Sequence, residues 1–277
     1  MNTANRYDIV RQVANVVGAL FQLLAGSGGV LLLGLDVGQV SRENSTLVVP
    51  ADYAFTIWGL IFLLCLVYAV YQALPVNRHS PLLRYIGPFT AGAFTFNGLW
   101  EILFPARQFL LAQVVIVCIF TCMAFAYLRL VRYARRSQRG LDRAERWLVA
   151  LPLGLLFGWI TAATLVSFAT TFVALGLLGG GIGEAIFGVA LLLTGGLLAL
   201  AVIVDGEAGP AQGYVAYAAA VLWALVAVIV NQYNASILTT GAAAFSTLLV
   251  ALALARNLFS GSLRRRERPA LSTNASA

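Results

Sequence analysis

The sequence predicts an all-α integral membrane protein of about eight transmembrane helices. Hydrophobic residues make up 60% of the 277 and charged residues only 10%, with a mean hydropathy of +0.86. That is too little polar surface to cover a water-soluble globule of this length. The apolar residues also fall in runs near the ~20 residues a helix needs to cross a bilayer. These lie at about 13–33, 53–74, 84–104, 109–131, 146–170, 183–204, 213–231 and 236–256. The alternating segments of roughly ten residues expected of a membrane barrel are absent, and helices satisfy their own backbone in lipid. Finally, the positive charge sorts to one side. With the N-terminus inside, every basic residue except Arg42 and Arg107 falls in a cytoplasmic segment, as the positive-inside rule requires.

Span one follows Arg6 and Arg11 and reaches Ala25, Gly26 and Ser27 in the manner of a secretory signal. Its apolar run continues through Val30 to Leu33, longer than a cleavable core, and reads as an uncleaved anchor. Span two opens on Pro50, Tyr53, Phe55 and Trp58, and span three carries Asn97, Trp100 and Glu101. Cys65, Cys118 and Cys122 all lie within spans, where free cysteine is a small packing residue rather than part of a disulfide framework. The arginine run from Arg129 to Arg146 reads as a solvated hairpin between spans four and five. Aromatic residues thin out near residue 172, and spans six to eight are dominated by Ala, Leu, Val and Gly. The glycines at 179–181 and 183 read as a loop and close helix packing, since no strand and no phosphate-binding fingerprint accompany them. Residues 170–178 either extend helix five or form an interfacial segment, and the tail after Ser260 reads as disordered. The N-x-Ser/Thr matches at Asn44, Asn234 and Asn274 carry no weight.

What is missing narrows the chemistry. All 18 basic residues are arginine, so no lysine is present for a retinal or pyridoxal Schiff base or a phosphate loop. The sole histidine, His79, offers neither a pair for haem nor a zinc motif. No metal or other cofactor is expected. The net charge of +7 is explained by topology and anionic lipid, without nucleic acid. A bacterial inner (plasma) membrane, with both termini cytoplasmic, is the expected location.

In this topology Asp36, Arg42, Glu43, Asp52, Glu101, Arg107 and Glu184 gather near the outer face. Trp58 lies about five residues into its helix, roughly 7–8 Å deep at ~1.5 Å per residue. Asn97 reaches a similar level, with Trp100 and Glu101 slightly shallower and Thr164, Ser167 and Phe168 close in depth. Asn97 and Glu101, four apart, share a helix face, where Glu101 either accepts a hydrogen bond or pairs with Arg107. The cluster reads either as a pocket wall or as a ring of interfacial aromatics and helix-end charges.

Ile57-Trp58-Gly59 in span two, Asn97 through Trp100 with Phe104-Pro105-Ala106-Arg107-Gln108 around the end of span three, and Trp159, Ala163 and Thr164 in span five together resemble the translocator protein family, also called tryptophan-rich sensory proteins (TspO/MBR). The likeness spans roughly residues 13–170. It implies a five-helix bundle over residues 1–172 with an internal pocket for porphyrins, sterol-like and related hydrophobic ligands, capped by residues 36–52. Residues 173–259 then form an additional three-helix membrane region, packed against the bundle or forming a homodimer surface, and residues 260–277 a disordered cytoplasmic tail. By the same resemblance ligand contact falls on Trp58, Asn97, Trp100 and Thr164, and further on Tyr53 and Phe168. Glu101 and Arg107 join the expected ligand-binding set as polar neighbours. Gly98 stands where the family has the first tryptophan of its pair, Glu101 where proline is usual, and no sterol motif follows span five.

The expected function is non-enzymatic binding of a hydrophobic, tetrapyrrole-like small molecule within the lipid bilayer, for sensing or translocation. A proton-coupled secondary transporter using Glu101 or Glu184 is the alternative. An intramembrane enzyme ranks below both, because no nucleophile-base pair or metal cluster is visible.

Overall fold

The computed structural model describes residues 3–34 and 37–267, and among them every regular element is helical. Asp36 and residues 268–277 of the expected tail lie outside the described residues, while residues 260–267, expected as disordered, continue α9 as helix. The helices are α1 Thr3–Leu33, α2 Val37–Glu43, α3 Ile57–Ala73, α4 Pro81–Leu103, α5 Phe109–Arg136, α6 Leu151–Ala174, α7 Gly181–Gly206, α8 Ala211–Gln232 and α9 Ile237–Glu267. Short turns of 3-10 helix at Asp52–Thr56 and π helix at Glu145–Ala150 lead into α3 and α6.

All eight expected spans are helices, and seven of the helices are long and apolar enough to cross a membrane on length and hydropathy alone. The remaining one, α4, is diluted by Arg84, Thr90, Asn97 and Glu101. It compensates by position, packed between α1 and α5 with Thr90, Asn97 and Glu101 turned inward and buried. The chain is thus an all-α integral membrane protein. Its helices overrun several expected bounds: α1 begins at Thr3 rather than near 13, and α9 continues past 256 to Glu267. α6 ends at Ala174, and Gly176, Gly180 and Gly181 take positive φ in the turn before α7, a conformation glycine adopts without steric cost.

Five helices close a ring in the order α1, α3, α6, α5, α4. α8 then packs along the outside of α6, and α7 and α9 pair with each other and with α8. α6 is the shared wall, buried on nearly every side from Pro152 to Thr161. Its approach to α8 rests on two glycines one turn apart. A Cβ on Gly154 would lie 2.1 Å from the Gly213 carbonyl oxygen, and one on Gly158 2.3 Å from that of Tyr217. Small residues at this spacing let two backbones meet where lipid supplies no hydrophobic drive. Tyr217 then donates its hydroxyl to Thr161 Oγ1 at 3.2 Å.

One end of the bundle collects the arginines. Arg84 Nε donates to Asp8 at 2.7 Å, Arg11 donates to Gln72 and to the Arg78 carbonyl, and Arg135 pairs with Asp205. The opposite end carries the α1–α3 connection, including α2, and the α4–α5 turn, and there the candidate site lies.

Candidate functional site

A cleft of about 880 Å³ of empty space, measured to its open mouth and narrow within, lies between the ring and the added helices. Its floor is Trp58 of α3, Trp100 and Phe104 at the end of α4, and Trp159, Thr161 and Ser167 of α6. Leu191, Leu192 and Gly195 of α7 and Val221, Ala224, Leu225 and Val228 of α8 form the far wall, and Val37, Ser41, Val48, Pro50 and Phe55 the cap. Among the described residues no charged side chain lines it.

The aromatic floor is interlocked. The Trp58 ring stacks on Phe62, stands 6.2 Å from Trp100 and meets Trp159 edge-on at 5.8 Å, while Trp100 stacks on Phe104. Such contacts fix ring orientation beyond what burial alone does. The polar edges of these rings are left over. The indole N–H groups of Trp58, Trp100 and Trp159 and the Ser167 hydroxyl are all buried without a hydrogen-bond partner, and all four residues line the same cleft. A buried indole normally finds an acceptor, and each unmet group costs about 1–3 kcal/mol.

The cap is held from the far side by α7 and α8. Ala51 N–H donates to the Ala227 carbonyl at 3.0 Å, and Asn231 Nδ2 to that of Val49 at 3.0 Å. Gln232 Nε2 reaches the carbonyls of Thr46 and Val49, Trp223 Nε1 donates to Ala54, and Leu47 N–H donates to Glu184 Oε1. Ion pairs Arg42–Asp52 and Arg107–Glu43 close its outer edge. Glu43 lies outside the membrane-spanning helices. Its carboxyl is held below the usual carboxylate range by the Gln39 amide that donates to it and by the Arg107 guanidinium.

Of the eight residues expected at a ligand site, the structure brings Trp58 and Trp100 together in the cleft. Thr164 is buried on α6 but its hydroxyl turns back to the Ile160 carbonyl, and Phe168 is half-buried; neither lines the cleft. Tyr53 lies outside it, edge-on to Trp223 of α8. Asn97 and Glu101 face away from it toward α1, where Asn97 Nδ2 donates to Gln22 Oε1 at 3.1 Å. The expected pairing of Glu101 with Arg107 does not form. Arg107, in a positive-φ turn that ends α4, extends to Glu43 of the cap instead.

Trp159 and Ser167 were not among the expected site residues, although Trp159 opens the span-five motif and Ser167 was expected close in depth to Trp58 and Asn97. The α7 and α8 wall carried no polar or aromatic signal, only small and branched apolar residues.

No curated protein and no solved structure matches the chain. The family model described as TSPO-like protein matches residues 12–255. That match runs from the first turns of α1 into α9, well past residue 170, where the separated tryptophan motifs end. The helices that wall the cleft and hold its cap therefore lie inside the matched region, and the chain belongs to the TSPO-like protein family.

Proposed function

We propose that this protein binds a flat, hydrophobic small molecule of the tetrapyrrole type, carrying hydrogen-bond acceptors on its edge, for sensing or translocation rather than for chemistry. The observation that supports this reading is the set of three partnerless indole N–H groups in one apolar cleft. Aromatic walls supply stacking, and a few convergent polar groups set orientation. With no cation in the described lining, the indole N–H groups and Ser167 are the donors offered to acceptors on the ligand's edge, which in a porphyrin are its propionate oxygens.

We further propose that both termini are cytoplasmic and that the cleft opens on the outer side of the membrane. The arginine-rich end lies opposite the cap, as the positive-inside rule demands of a cytoplasmic face.

The test is a titration of the purified protein with protoporphyrin, following porphyrin absorbance and tryptophan emission in wild type, Trp58→Phe and Trp100→Phe. Saturable binding that weakens in both variants is expected. Binding that is absent, or equal in all three proteins, sinks the reading.

A further inference from the structure

Where α4 packs on α1, beside the cleft, lies a second set of unmet polar groups. Gln22 of α1 and Asn97 of α4 are fully buried, and Glu101 is 4% exposed. Asn97 Nδ2 donates to Gln22 Oε1, yet Gln22 Nε2, Asn97 Oδ1 and Glu101 Oε1 have no partner. A Cβ on Gly26, one turn beyond Gln22, would lie 3.5 Å from the Glu101 carboxyl carbon and under 3 Å from Phe62. The carboxyl is thus packed against the α1 backbone and an aromatic ring.

We propose that Glu101, with Asn97 and Gln22, forms a proton-binding site inside the helix ring, separate from the aromatic cleft. An ionised carboxylate here would be a buried charge with no counter-charge, which apolar surroundings penalise heavily. No charged residue lies in the facing stretches: α1 has none from Gln12 to Gly26, α3 none along its length, and α5 none before Arg129. The titratable group beside the cluster is the Cys65 thiol of α3, next to Gln22. The nearest cation in sequence, Arg107, is committed to Glu43.

Hydrogen-bond counting points the same way. A neutral carboxyl has one O–H donor and a carbonyl acceptor. As a neutral acid Glu101 offers its O–H to Asn97 Oδ1, one turn back on the same face, an acceptor that otherwise has no donor. One added proton therefore removes the uncompensated charge and supplies a donor to the unmet Asn97 acceptor. A metal cation fits poorly, because hard cations want six or more oxygen ligands and this cluster has few free.

The test is infrared spectroscopy of the full-length protein in lipid nanodiscs at pH 7. A carboxylic-acid C=O band is expected that shifts in D2O, disappears in Glu101→Gln and persists in Glu184→Gln. In Asn97→Leu, which keeps the carboxyl, the band moves in frequency because its hydrogen-bond partner is gone; this variant serves if Glu101→Gln fails to fold. Raising the pH removes the band, with the same midpoint in sodium and potassium buffers. A wild type without the band at pH 7 overturns the proposal, as does a midpoint that follows the identity of the alkali cation. Porphyrin affinity plays no part in this readout, so the two proposals stand or fall separately.

Discussion

Trp58 of α3 meets Trp159 of α6 edge-on, ring centroids 5.8 Å apart and planes at 81°. The contact joins two non-neighbouring segments of the chain across the floor of the cleft. The ring contact leaves both indole N–H groups without an acceptor.

Trp159→Phe removes that donor while keeping most of the aromatic surface. Losing one hydrogen bond to a ligand of about 1–1.5 kcal/mol predicts roughly tenfold weaker porphyrin binding, with helicity and melting temperature near wild type. Titration beside a thermal scan checks this. Full affinity in Trp159→Phe would show that its N–H does not face the ligand.

Two glycines, Gly158 on the α6–α8 seam and Gly59 of α3, are expected to respond oppositely to alanine. Gly158→Ala drives a methyl into the Tyr217 carbonyl and backbone, which cannot yield as a side-chain tip can. Overpacking of this kind costs about 1–3 kcal/mol or more, so the melting temperature should fall and detergent tolerance should drop. Gly59→Ala meets nothing within 4 Å. In the first turn of α3 it is expected to be neutral or to stabilise by up to ~1 kcal/mol, despite Gly59 belonging to the tryptophan motif of span two.

These two positions also show how far the sequence could be read. Eight helices followed from apolar run length, and the sorting of arginines anticipated that Arg84 and Arg129 would share an end. Trp58 and Trp100 were legible because aromatic spacing survives as a motif. The Gly154-Gly158 seam was not, since one pair of glycines in a glycine-rich membrane chain looks like any other until its partner helix is placed. Asn97 and Glu101 were recognised as sharing a face, but periodicity does not say which neighbour that face meets. It meets α1, and the pairing with Arg107 therefore failed. Asn231 and Gln232, which hold the cap, sit at an unremarked helix end and acquire meaning only when the α1–α3 connection is folded back over α8.

The cap edge should respond to acid. The Glu43 carboxyl titrates below its ordinary value because Gln39 and Arg107 stabilise its charged form. A depressed folded pKa contributes stability that is present above the unfolded carboxylate value, near ~4.3, and is lost as pH falls through the folded value. Hydrogen exchange of residues 40–52 is therefore expected to be pH-insensitive, after correction for intrinsic rates, between pH 8 and 6 and to quicken below about pH 4. Glu43→Gln should show the faster exchange already at neutral pH. The pair is exposed, so the effect is modest and shrinks at high salt. Exchange in Glu43→Gln equal to wild type at pH 7 would mean that the α7 and α8 hydrogen bonds hold the cap alone.

At the opposite end, Asp8 and Arg84 are unequal partners. The Asp8 side chain is 0% exposed, whereas that of Arg84 is 38% exposed. Asp8 also accepts from His79 Nδ1 at 3.1 Å when that nitrogen carries a proton. Removing either partner breaks the same ion pair, but what is left behind differs. Arg84→Leu strands a fully buried carboxylate, the situation for which losses of about 3–5 kcal/mol are typical. Asp8→Asn leaves a guanidinium that reaches water and retains a buried side chain able to hydrogen-bond, so a loss nearer ~1 kcal/mol is expected. The double variant should recover most of the difference, because the stranded charge is gone. Melting temperatures of the three variants decide the matter. Equal losses in the two single variants would show that Asp8 is solvated through the His79 side and that burial does not set the order.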